Sequence, residues 1–419
     1  MKRRLVTKSG IRYSFENTHG TVNQLHLRLI VQVGSLNESD SVRGAAHFIE
    51  HLGFRGTRKF DHGELVSFVE GLGSNFGPDL NAKTSLCETI WQLDISPTAL
   101  RSGLEILNEW AFWIRISNQD VESERKVILE EWRQKQNPSH RAKTKFWESI
   151  ACFVAKRAPI GTIDFIEQAN IKELRDFYES TYVHEKMSII CVVEQSSTTE
   201  SSVSYEDFVR VLEETFTPEN CPVRRQKCSI VRDNPKDLFE LREADLEFVK
   251  FACVIDPDLM SSSISLEFLS DEIQPNTGPG FFRRDIIKRI LSSILDERFR
   301  MRRLSSDSPH NTSVSFGVAV NTPYVEMSCV RTDLKFRSSP HEVESSLVNL
   351  IQELLLCYQV GFSQNELDRA KAKWRRFVHD QIRTASMAVS EWVRKFRSLI
   401  SISQTNLQAK YNCRSNIFH

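Results

Sequence analysis

Apolar and polar residues alternate over residues 11–15, and residues 24–33 form a longer apolar-rich run (Leu25, Leu27, Leu29, Ile30, Val31, Val33) closed by Gly34. Both patterns predict strands. The period then lengthens, and residues 43–53 read as a helix. Asp61 is placed to cap a second helix over residues 62–71, with Leu65, Phe68 and Val69 on one face. Residues 81–93 read as one strand, and residues 97–113 and 118–136 as two longer helices. A helix at 171–178, a central-type strand at 187–193 and a helix at 205–215 complete the first half. From Pro218 to Pro235 the chain turns polar and contains three prolines, which reads as a linker.

Beyond it the order repeats. Strands are expected at 248–255 and 262–268, a helix at 282–303, strands at 313–320 and 324–330, and long helices at 341–359 and 364–398. The expected fold class is therefore α+β, with two similar domains, each a mixed, mainly antiparallel sheet covered by helices. The first domain would span 1–217, the linker 218–240 and the second domain 241–419. The final stretch, Ser403 to His419, is polar and lacks the apolar element that finishes a domain, so the second domain reads as cut short.

Composition narrows the function. The chain has 419 residues with 55 basic and 55 acidic side chains, so its formal net charge is zero and nothing draws it to nucleic acid. No apolar run reaches the length of a transmembrane helix. The basic start, Met1-Lys2-Arg3-Arg4, is not followed by an apolar stretch, so no secretory signal is read. Nine cysteines form no C-x-x-C pair, and Cys191 and Cys253 lie in apolar runs. These features predict a cytoplasmic or organelle-matrix location.

Chemistry concentrates in His47-Phe48-Ile49-Glu50-His51. On a helix this places two imidazoles one turn apart on one face, with a carboxylate beside them. The order inverts the commoner H-E-x-x-H. Zinc catalysis needs three protein ligands and an open position. The third candidate lies in Glu124-Arg125-Lys126-Val127-Ile128-Leu129-Glu130-Glu131-Trp132, where Glu124 and Glu131 share a helix face and Glu130 points about 100° away. The same acids also suit an ordinary amphipathic helix. Glu50 is a candidate general base, a metal ligand or a plain surface residue.

The run Gly44-Ala45-Ala46-His47-Phe48-Ile49-Glu50-His51-Leu52-Gly53-Phe54-Arg55-Gly56-Thr57 resembles the signature of the pitrilysin/insulinase family of inverted-motif zinc peptidases, nearest to its PqqL-type subgroup. So do Val33 to Glu38, Glu124 to Arg133, and Phe76-Gly77 with Asn81 to Ser85. The resemblance implies His47, His51 and Glu131 as ligands of one Zn2+ per chain, Glu50 as catalytic base and Glu124 as support behind the metal. It implies a peptide substrate that adds a strand near Asn81 and Ala82. It implies a metalloendopeptidase of short or unfolded peptides. Full-length relatives have four such domains in two halves and this chain has two. A weakly active or non-catalytic half, a homodimer, or a complementary second-half subunit is thus the alternative expectation.

Overall fold

The computed structural model describes residues 5–20, 22–150, 156–196, 203–224, 253–259, 262–270, 279–305, 314–315, 330–338 and 343–383. They group into two units, one extending to Val254 and the other beginning at Ile255. The expected strand at 248–255 lies largely outside the described residues, as do most of the strands expected at 313–320 and 324–330, the linker beyond Arg224, and the polar tail.

The first unit is built on six strands: β1 (Leu5–Val6), β2 (Arg12–Gly20), β3 (Gln24–Val31), β4 (Leu80–Thr84), β5 (Thr89–Ile95) and β6 (Met187–Ser196). They lie in the order β1-β2-β6-β3-β5-β4. Only β2 and β6 run parallel; the other neighbours are antiparallel. β6 is a central strand, paired with β2 and β3, as its unbroken apolar run implies. β4 lies at one edge, paired with β5.

Leu25, Leu27, Leu29 and Val31 of β3 alternate onto the core face, where helices cover them. The helices of this unit are α1 (Ala45–Arg55), α2 (Glu64–Gly71), α3 (Leu100–Phe112), α4 (Asn118–Gln134), α5 (Pro138–Ile150), α6 (Ile163–Gln168), α7 (Ile171–Thr181) and α8 (Tyr205–Thr215). The opposite face carries a polar knot in which Asp94 pairs with His26 (3.1 Å) and Arg28 (2.5 Å). That interior is satisfied by charge pairing rather than by apolar contact.

α1 lies against β5 at a point where only glycine fits. A Cβ on Gly53 would come within 2.3 Å of the Trp91 ring, which stacks on Trp110 at 5.0 Å between centroids. Trp110 Nε1 donates to the Gly53 carbonyl at 3.1 Å. This packing fixes how far α1 stands from the sheet.

Several expectations need correction. Residues 81–93 are not one strand but the hairpin β4–β5, turned through Ser85–Glu88 by hydrogen bonds of Ser85 to the Glu88 backbone. α2 starts after Gly63, in the left-handed region at φ 79° with no side-chain cap, while Asp61 pairs with Arg115 instead. Helices α5 and α6 were not anticipated.

The second unit contains β7 (Ser262–Ser270), β8 (Val314–Ser315) and β9 (Val330–Ser338), an antiparallel sheet in the order β7-β9-β8. It also contains α9 (Pro279–Ser305), α10 (Val343–Val360) and α11 (Gln364–Arg383). The α+β class holds for the described residues. Among them, no helix is long and apolar enough to cross a membrane.

Candidate metal centre

α1 and α4 bring the predicted ligands together. His47 and His51 are one turn apart on α1, with ring centroids 4.7 Å apart. Glu131, near the end of α4, points Oε2 at both, 3.5 Å from His47 Nε2 and 3.5 Å from His51 Nε2. One ligand atom from each residue lies within 4.8 Å of the others. Around a zinc ion with bonds of about 2 Å, tetrahedral donors stand about 3.3 Å apart, so two of the three separations already fit.

The charge states suit a cation. Burial holds His47 down to about 3, aided by neighbouring His51, so its imidazole is neutral. Burial also acts to lower His51, but the carboxylates of Glu124 and Glu131 outweigh it and raise the group to about 9. A proton on His51 there occupies the place a metal would take. Glu131 is held down to about 2, chiefly by its contact with His51. Its other oxygen, Oε1, accepts from Lys135 Nζ at 2.5 Å, leaving Oε2 for the cluster.

Glu124 sits behind His51. Its Oε2 lies 2.8 Å from His51 Nδ1, and its Oε1 accepts from Arg55 Nε. A carboxylate on Nδ1 fixes the tautomer that leaves Nε2 as a free lone pair. Glu124 is drawn below the usual carboxylate range: burial opposes this, but His51 and Arg55 prevail. Glu130 faces away and is exposed, near Gln134 and Arg133.

Glu50 points from α1 toward β4. Thr84 Oγ1 donates to its Oε2 at 2.5 Å. Burial raises its pKa, opposed by that hydrogen bond and by His51. Asn81 and Ala82 lie on the same edge strand, three and two residues from Thr84. Asn81 Nδ2 donates to the Gly77 carbonyl at 3.0 Å, and its Oδ1 accepts from Ala82 N–H at 2.8 Å.

The structure adds residues the sequence reading gave no role. Arg55 continues the i, i+4 stripe of His47 and His51, a spacing that could have marked it. Lys135 stands four residues after Glu131 in the same way. Thr84 reaches Glu50 from 34 positions along the chain, and Glu38 reaches the start of α1 from six to eight positions before it.

Residues 16–151 match the family model described as Insulinase (Peptidase family M16). The chain is 23% identical over 392 residues to "Probable zinc protease PqqL" of Haemophilus influenzae, covering 91% of this chain and 40% of that protein. It is 34% identical over 171 residues to "Zinc protease PQQL-like" of Arabidopsis thaliana, covering 40% of this chain and 18% of that protein. The chain thus spans well under half the length of both. The solved first half of the periplasmic protease PqqL from Escherichia coli superposes with a TM-score of 0.72 at 22% identity, covering 95% of this chain and 82% of that one.

The periplasmic setting of that protease overturns the cytoplasmic or organelle-matrix expectation. The thiols on which the expectation rested are poor reporters. Cys191 is fully buried, and burial raises its pKa far above the ordinary thiol value. Cys253, the other thiol in an apolar run, is exposed rather than buried, while burial pushes Cys221 up to about 12. A protonated thiol sealed in a core stays reduced in any compartment.

Proposed function

This chain carries an insulinase-type M16 peptidase domain, and from that premise we propose that it is a zinc metalloendopeptidase acting on short or unfolded peptides. The observation that carries the reading is the convergence of His47, His51 and Glu131 beside Glu50. In this reading the first three hold one Zn2+. Zinc, when bound, supplies Lewis acidity that lowers the pKa of water and polarises a carbonyl.

The chain's own side chains do the rest. Glu50 is the general base: burial lifts its pKa toward the working range of such a base, and Thr84 holds one oxygen so that the other can take a proton. It then returns that proton to the leaving amine. Glu124 and Arg55 keep the His51 ring turned. The outer edge of β4, the edge strand among the described residues, receives an extended peptide near Asn81 and Ala82 through main-chain hydrogen bonds, which favours unfolded substrates of varied sequence.

A second reading is a half that needs a complement, either a second copy or a second-half subunit. It is favoured by the chain's spanning 40% of the Haemophilus protein and superposing on a first half. One preparation tests both readings: metal content, cleavage of a quenched peptide, and the same for Glu50→Gln. The expected outcome is about one zinc per chain in both proteins and cleavage only by the unmutated one. Equal cleavage by the two removes Glu50 from the mechanism. Zinc without cleavage, restored by a separate second half, establishes the second reading.

A further inference from the structure

Helix α1 starts without a capping side chain of its own. Its N-cap residue is Gly44, in the left-handed region at φ 115°. The first N–H groups of a helix need acceptors from elsewhere. Here they come from a residue six to eight positions back. Glu38 Oε2 accepts from Gly44 N–H and Glu38 Oε1 from Ala46 N–H, both at 2.9 Å. Glu38 is fully buried. Burial pushes its carboxyl up to about 8, against the pull of those two donors and of Arg157 and Arg43.

The same turn is gripped from another part of the chain. Thr162 N–H donates to the Arg43 carbonyl at 3.1 Å. A Cβ on Gly161 would stand 2.2 Å from that oxygen and 2.4 Å from Gly44 Cα, so glycine alone permits the approach. Arg157 joins the two grips: its Nη1 donates to the Glu38 carbonyl at 3.1 Å, and its own carbonyl accepts from Ser35 Oγ at 2.5 Å.

We propose that Glu38 is a positioning residue for the metal-binding helix: its carboxylate clamps the entry of α1 so that His47, the residue after Ala46, keeps its heading before any ion arrives. The argument for this side chain is specific: it offers two oxygens, one to each of two N–H groups, where the amide of glutamine would offer one. A frayed first turn would swing His47 and leave His51, a full turn deeper, in place. The anchoring stands on geometry alone; its consequence for metal rests on the zinc reading.

The test uses the full chain with Glu38→Gln and Glu38→Ala; should the alanine variant fail to fold, the glutamine variant decides. Amide hydrogen exchange is followed first, on metal-free protein. Faster exchange in Glu38→Gln confined to residues 44–50, with β3 and β6 unchanged, is expected. Unchanged exchange, or a uniform rise that includes β3 and β6, overturns the clamp. Zinc affinity by chelator competition and the visible spectrum of the Co2+-loaded chain are then compared. Glu38→Gln should bind zinc about tenfold more weakly, with an altered Co2+ spectrum. Altered exchange with unchanged affinity and spectrum overturns the link to His47. An unmutated chain that binds no zinc refutes the zinc reading instead, while the exchange result still decides the anchoring.

Discussion

At His47, His51 and Glu131, three acceptor atoms converge and the tool for holding them apart is a removable one: a proton on His51 or a metal ion. At Arg298 on α9, the same kind of gathering is closed. Its guanidinium bonds both oxygens of Glu366 (2.5 and 3.0 Å), the Gly361 carbonyl (2.9 Å) and Glu353 (3.3 Å). A guanidinium is permanently charged and presents a fixed fork of donors, so it fills the centre for good. Both clusters join helices through carboxylates, Glu131 and Glu366, that are partly buried. The difference is that one has a resident cation and the other has lone pairs in excess. Acidic residues near helices are therefore uninformative by themselves; what suits a cluster to hold a metal ion is convergence without a fixed cation at its middle.

Several substitutions sharpen that contrast. The largest expected effect is on turnover: Glu50→Gln lowers kcat about 10²- to 10⁴-fold while zinc content stays unchanged, as checked by peptide cleavage and metal analysis. Arg298→Met removes the guanidinium that pairs with Glu353, whose side chain is 2% exposed, and with both oxygens of Glu366. That costs the second unit about 3 kcal/mol in a denaturant titration and leaves zinc stoichiometry alone. If zinc content fell with it, the two clusters would not be independent. Thr84→Val removes the hydroxyl that holds Glu50 and lowers kcat about tenfold, with the pH profile of kcat shifted toward higher pH because the lost donor favoured the ionised carboxylate.

Proton linkage separates the clusters more gently. Glu366 is held down to about 2, mainly by Arg298. Its contribution to stability is present above pH 4.5 and is lost as pH falls through about 2. His51 behaves in the opposite sense. With its pKa raised to about 9 from 6.5, its contribution in the metal-free chain is complete below 6.5 and is lost as pH rises through 9. The rise in Tm on adding zinc should therefore grow between these two pH values, since the deprotonated ring is the ligand. A zinc effect that stays flat across that range contradicts the assignment of His51.

The sequence carried the site better than it carried its supports. The H-x-x-E-H spacing and the seven-residue step from Glu124 to Glu131 are helical periodicities, and α1 and α4 realise both. β3 and β6 were legible from their apolar runs for the same reason. The β4–β5 hairpin was not, because its turn at Ser85–Glu88 contains no glycine or proline and apolar residues continue on both sides. The helix expected over 62–71 is present as α2, but its cap is not Asp61, which is drawn off by Arg115, a partner from 54 positions away. Thr84 and Arg55 act through contacts that exist only once the sheet and helices have packed, and Glu38 through a turn of irregular backbone that no periodicity marks. The support of the site is tertiary where the site itself is periodic.

The central claim is that α1 and α4 jointly hold a metal. Anomalous diffraction at the zinc absorption edge, from crystals of the zinc-loaded chain, tests it most directly. One peak within bonding distance of His47 Nε2, His51 Nε2 and a Glu131 carboxylate oxygen is the predicted result. A peak elsewhere, or none beside these three atoms, contradicts it.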